Sequence, residues 1–101
     1  MDRRQDLQNL LVSILGSNKV YFQPPPTIHL DYPCIIYERN TADSQFADNN
    51  SYLFKFRYKI TYIDRSPENN IVKKLARIPM CTYDRFYTSD GLNHDVLNLY
   101  Y

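Results

Sequence analysis

Leu7, Leu10, Leu11, Ile14 and Leu15 recur at i, i+3, i+4, i+7 and i+8, with Gln5, Gln8, Asn9 and Ser13 opposite. That spacing predicts a helix from Asp6 to Leu15. Gly16-Ser17-Asn18 supplies a left-handed end, and Asp2 offers an N-cap, although Arg3 and Arg4 stand at the end of the dipole that disfavours cations. From Val20 to Pro33 the three consecutive prolines Pro24-Pro25-Pro26 forbid helix and supply no ladder donors, so an extended connector is expected. Cys34 to Arg39 reads as a short buried strand. Asn40 to Asn50 is polar apart from Phe46-Ala47 and reads as a long loop or projecting ribbon. Between Ser51 and Ile63, Tyr52, Phe54, Phe56, Tyr58, Ile60 and Tyr62 alternate with Leu53, Lys55, Arg57, Lys59, Thr61 and Ile63. This period of two predicts a strand with an aromatic face and a cationic face. At about 3.3 Å per residue it would span roughly 43 Å, so one end is expected to overhang the domain and leave backbone for a partner.

Ser66-Pro67-Glu68 reads as an N-cap, a first-turn proline and a first-turn acid. A second helix carrying Ile71, Val72, Leu75 and Ala76 on one face should follow and end before Pro79. Met80–Tyr87 and Asn93–Tyr101 are expected to close the fold as strands around Thr88-Ser89-Asp90-Gly91, where Asp-Gly is a hairpin signal. The order helix, strand, strand, helix, strand, strand predicts a single α+β domain over residues 1–101. About four mainly antiparallel strands would carry both helices on one face.

Composition narrows the function more than the fold. Hydrophobic residues are 44% of the 101 and charged residues 23%, which is enough to build one modest core. No apolar run approaches the roughly 20 residues of a membrane span, and the first residues do not form a signal-peptide block, so a soluble, cytosolically made chain is expected. A net charge of +1 provides no global field for nucleic acid or membrane. The two cysteines, Cys34 and Cys81, lack paired zinc spacing and read as reduced and buried. Ten tyrosines stand against two glycines and no tryptophan. Tyrosine is enriched where a surface must be apolar yet hydrogen-bonding, as at subunit contacts.

Candidate chemistry is sparse. His94-Asp95 on a strand would point to opposite faces, leaving a turn histidine as the plainer reading. Cys81 with His94 could form a nucleophile and base across the last hairpin, but no orienting group or oxyanion loop accompanies them, and a core thiol is the plainer reading. No phosphate-cradling glycine loop or metal spacing is present in the sequence. The chain therefore reads as a non-enzyme with no cofactor and no metal. Segment 51–65 carries a local +3, a cationic strand interleaved with tyrosines. It could contact phosphate, lie in solvent, or face acids such as Asp43 and Asp48 of a neighbouring copy in a heterologous contact.

Tyr21-Phe22-Gln23-Pro24-Pro25, Tyr32 to Glu38, Phe46-Ala47-Asp48-Asn49, the Tyr58 to Pro67 run and Leu92-Asn93-His94-Asp95 together resemble the tail terminator, or tail completion, proteins of long-tailed bacteriophages. The resemblance covers nearly the whole chain. It implies a small α+β virion subunit at the neck, assembled in the bacterial cytoplasm as a ring, hexameric in the family. Such a ring caps the tail tube, ends tail assembly and joins the head connector. The implied partners are further copies of the chain, the tail tube protein and a head-side connector or stopper protein, with DNA only passing through the lumen and no membrane. The residues expected at subunit contacts are Asp43, Phe46, Asp48, Tyr52, Lys55, Arg57, Lys59, Tyr100 and Tyr101. The alternative is a small nucleic-acid-binding module using the cationic strand 51–65.

Overall fold

The computed structural model of the chain describes residues 3–43, 55–66 and 70–101. Its elements are α1 (Arg3–Leu15), β1 (Val20–Phe22), β2 (Cys34–Asp43), β3 (Lys55–Asp64), α2 (Ile71–Ala76), β4 (Cys81–Ser89) and β5 (Leu92–Tyr100). The strands form one sheet in the order β1-β2-β3-β5-β4. The β1–β2 pair is parallel and the other three pairs are antiparallel. The fold is α+β as the pattern predicts, but with five strands rather than four and a mixed sheet.

β1 is the strand that hydrophobic periodicity does not reveal. Val20-Tyr21-Phe22 is too short to display a period, and its partners Ile35, Ile36 and Tyr37 lie beyond the proline connector. Asn40 to Asp43, at the start of the segment expected to be a long loop or projecting ribbon, continue β2, with a register shift between Arg39 and Thr41. The remainder of that segment lies outside the described residues. α2 is described from Ile71 to Ala76 with Asn70 before it, and the expected start at Pro67-Glu68 lies outside the described residues. The Ser66 N–H donates to Asp64 Oδ1 at 3.2 Å, a side-chain turn that ends β3.

One face of the sheet carries the core. The period-two side chains Tyr58, Ile60 and Tyr62 of β3 lie between Ile35 and Tyr37 of β2 and Leu97 and Leu99 of β5. Leu7 and Leu11 of α1 and Leu75 of α2 complete the same cluster, each fully buried, while Leu10, Ile14, Ile71 and Val72 pack at its margin. Both helices therefore cover the aromatic face. Gly16 has φ +80°, so it ends α1 in the left-handed region that glycine adopts without strain. Asp90 and Gly91 both have positive φ and join β4 to β5 in a two-residue turn, tighter than the four residues expected.

Arg4, in the first turn of α1, gains tertiary contacts that offset its unfavourable place on the dipole. Its guanidinium lies 4.8 Å from the Phe22 ring centroid and donates to the Tyr37 hydroxyl at 3.4 Å.

Replacing Leu11 by Ala should destabilise the fold by about 2–5 kcal/mol, because the truncated side chain leaves a cavity in a cluster shared by helix and sheet. Urea denaturation read by circular dichroism measures this, and an unchanged midpoint would contradict the placement of α1 in the core.

Candidate assembly surface

The sheet has two edges of very different character. β1 is three residues long, whereas β4 is nine and pairs with β5 on one side only. Every β4 residue from Thr82 to Ser89 is exposed. Three of these are aromatic: Tyr83, Phe86 and Tyr87 are 47%, 48% and 42% exposed. The register shifts between Tyr83 and Arg85, so Asp84 is the extra residue of a bulge. That bulge sets Tyr83 opposite Leu97, Arg85 opposite Val96 and Tyr87 opposite His94. The aromatics are held in place by strand β5: Tyr87 stacks on His94 at 4.6 Å between ring centroids, and the Tyr83 hydroxyl donates to the buried Asp95 at 2.7 Å.

His94 and Asp95 thus serve opposite faces, as their adjacency on a strand requires, but His94 is half-buried under Tyr87 rather than an open turn residue. Cys81 lies opposite Leu99 at the other end of the hairpin, so it does not meet His94. Burial raises both thiols, Cys34 to about 11 with the nearby Lys19 charge opposing, and this disfavours the thiolate a nucleophile needs. Cys34 is buried, and Cys81 is half-buried rather than enclosed. Among the described residues no three of His, Cys, Asp and Glu converge as a metal site, and no helix is long and apolar enough to cross a membrane.

The face of the sheet away from the helices holds two shallow grooves. One, of about 350 Å³, lies among Glu38, Lys59, Thr61, Tyr87 and His94. The other, of about 420 Å³, lies at the β1–β2 end, where Pro24, Pro25, Pro26, Ile28 and Leu30 of the connector pass beside Ile36 and Glu38. The proline connector is therefore a wall of this face.

The predicted contact residues separate into three groups. Phe46, Asp48 and Tyr52 lie outside the described residues, while Asp43 and Lys55 are described only as the paired backbone positions at the end of the β2–β3 ribbon. Arg57 and Lys59 point away from the core, both half-buried; Lys59 is the cross-strand neighbour of Glu38, and Arg57 Nε is buried with no hydrogen-bond partner among the described residues. Tyr100 and Tyr101 are half-buried at the end of β5, where the Tyr101 N–H donates to the Phe56 carbonyl at 3.1 Å.

Residues 51–54, the start of the strand expected to overhang at one end, lie outside the described residues. Within the described residues β3 is internal, paired with β2 from Lys55 to Ile63 and with β5 from Arg57 to Asp64. Among the described residues, the longer free edge belongs to β4. The sequence conceals this because the bulge at Asp84 breaks the alternation of Tyr83, Phe86 and Tyr87; the usable signal was three aromatics that no single strand face could bury.

Comparison with models of protein families, with curated proteins and with solved structures found no match to this chain.

Partial desolvation of the Tyr83 hydroxyl, its hydrogen bond to Asp95 and the Asp95 charge push this phenol up to about 12 from an ordinary 10. A folded-state value above the unfolded one stabilises the fold fully below pH 10, and that contribution is lost as pH rises through about 12. Thermal unfolding should therefore weaken progressively across this alkaline window, and less steeply in the Tyr83→Phe variant. Identical pH profiles for the two proteins would show that Asp95 does not hold Tyr83.

Proposed function

We propose that the chain is a virion assembly protein of the bacteriophage tail-terminator kind. It acts by shape: copies associate side by side into a ring that caps the tail tube, stops its growth and offers its other surface to the head-side connector. The observation that carries this reading is β4, a nine-residue edge strand exposed along its length from Thr82 and carrying three aromatics. An edge of this kind invites association, and natural sheets that retain one cover it with a partner. The elongated form of the subunit, 46 × 23 × 23 Å, suits a wedge in a ring better than a closed globule. The sequence resemblance supplies the tail tube and the connector as the structures above and below.

The nucleic-acid reading has weaker support. Lys59 stands across from Glu38, Arg57 is half-buried with its Nε enclosed, and β3 is the middle of the sheet rather than an open rim. A phosphate-binding strand would present its cations unopposed.

Purified tube protein, polymerising in the presence of the chain, should give tubes that stop elongating and carry one added ring at a single end, visible by electron microscopy. Tubes that lengthen as they do without the chain would remove this reading. Duplex DNA should show no binding at low salt; a complex that weakens by orders of magnitude as salt rises would favour the nucleic-acid module instead.

A further inference from the structure

The helix layer stops short over β4. The six residues of α2 rise about 9 Å, whereas the nine residues of β4 span about 30 Å. α2 packs against β4, yet Tyr83 and Phe86 on the helix side of that strand remain about half exposed. The register fixes this side: Tyr83 lies opposite Leu97 of the core and Phe86 opposite Asp95, which shares the face of Leu97, while Tyr87 belongs to the other face. With its hydroxyl bonded to Asp95, Tyr83 is held in place before any partner arrives. The uncovered rings adjoin unopposed charge. Lys73, Lys74 and Arg77 of the α2 segment are exposed, and none has an ion pair among the described residues. The acids of this side are engaged elsewhere: Asp84 by Arg85 at 3.4 Å, Asp95 by Tyr83, and Asp64 by Tyr62 and Ser66.

We infer that an acidic amphipathic helix of a different protein docks here, laid beside α2 with its apolar stripe on Tyr83 and Phe86 and its carboxylates toward Lys73, Lys74 and Arg77. A helix fits because this layer is built of helices, and one set at the usual spacing of about 8–10 Å from α2 rests on the uncovered part of the sheet. Charge names the occupant. Three cations call for an acidic surface, and the helices of a second copy do not supply one: α1 carries the single acid Asp6 beside Arg3 and Arg4, and α2 carries none. A duplex would meet the cations alone and leave Phe86 in water. The proposal rests on the assembly reading above in that the chain works by meeting other proteins; it assigns the helix side of β4 to one of them and leaves the strand edge to a neighbouring copy.

The test uses the purified chain without tube protein. Its failure leaves tube capping standing, and loss of capping with this binding intact removes the capping reading alone. The probe is a fluorescein-labelled synthetic peptide of about 18 residues, or five helical turns, with Leu at i, i+3, i+4 and i+7 and Glu on the remaining face. In fluorescence anisotropy at low salt it should bind, and the amide resonances that shift in the isotope-labelled chain should be those of α2 and β4. Lys73→Glu with Lys74→Glu should weaken binding at least about tenfold, as should Phe86→Ser. These are exposed positions, and circular dichroism checks that each variant is folded. Lys59→Glu, on the other face of the sheet, should change binding less than about twofold. A peptide of the same composition with the Leu stripe scrambled should bind at least about tenfold more weakly. Equal binding by the scrambled peptide, variants that bind as the unaltered chain does, shifts confined to other elements, or no binding at all would each overturn the inference. Single-stranded DNA that displaces the peptide at a lower concentration than unlabelled peptide does would overturn it as well, assigning this surface to nucleic acid.

Discussion

Tyr37 is fully buried, and its hydroxyl is hydrogen-bonded by the helix above it. Gln8 of α1 makes two bonds. Its Oε1 accepts from the Tyr37 hydroxyl at 2.6 Å, and its Nε2 donates to the Val20 carbonyl at 3.1 Å. One side chain thereby ties α1 to both strands of the parallel pair. An unsatisfied buried hydroxyl costs about 1–3 kcal/mol, so these bonds couple the placement of the helix to that of β1 and β2. Phe22 and Tyr58 flank the same ring at 5.0 Å and 6.0 Å between centroids, extending this junction into the centre of the sheet.

The placement of the proline connector follows from that junction. Because β1 runs parallel to β2, the chain must return along the sheet between Phe22 and Cys34, and with both helices on one face the return crosses the other. The second face is therefore half covered, with Val96 and Ile63 almost enclosed while Lys59, Thr61 and His94 remain partly open. The domain is finished on one side and unfinished on the other. Of the exposed β4 aromatics, Tyr87 lies on that second face, where it lines a groove with Leu30 and Tyr32 of the connector.

Much of this was legible in the amino-acid order. The spacing of Leu7 and Leu11, the alternation through Tyr58, Ile60 and Tyr62, and the Asp90-Gly91 turn each follow from local geometry, and each indicates which side chains are buried. What stayed hidden depended on partners distant in sequence. β1 is defined by residues fifteen positions away, and nothing in Val20-Tyr21-Phe22 alone distinguishes a strand from a connector. The exposed edge was missed for a related reason: a long alternating strand looks like a rim until its neighbours are known, and β3 has neighbours on both sides. Tyrosine excess pointed to an interface but could not indicate which strand would carry it.

The bulge at Asp84 has a bearing on solubility. A smooth nine-residue edge rich in aromatics is a template on which any extended chain can lay down another strand, and the added strand exposes a fresh edge in turn. With an extra residue between Tyr83 and Arg85, the donors and acceptors before and after the insertion fall out of step, and the strand twists away from a flat addition. The irregularity thus breaks the continuous ladder by which sheets run on into fibres.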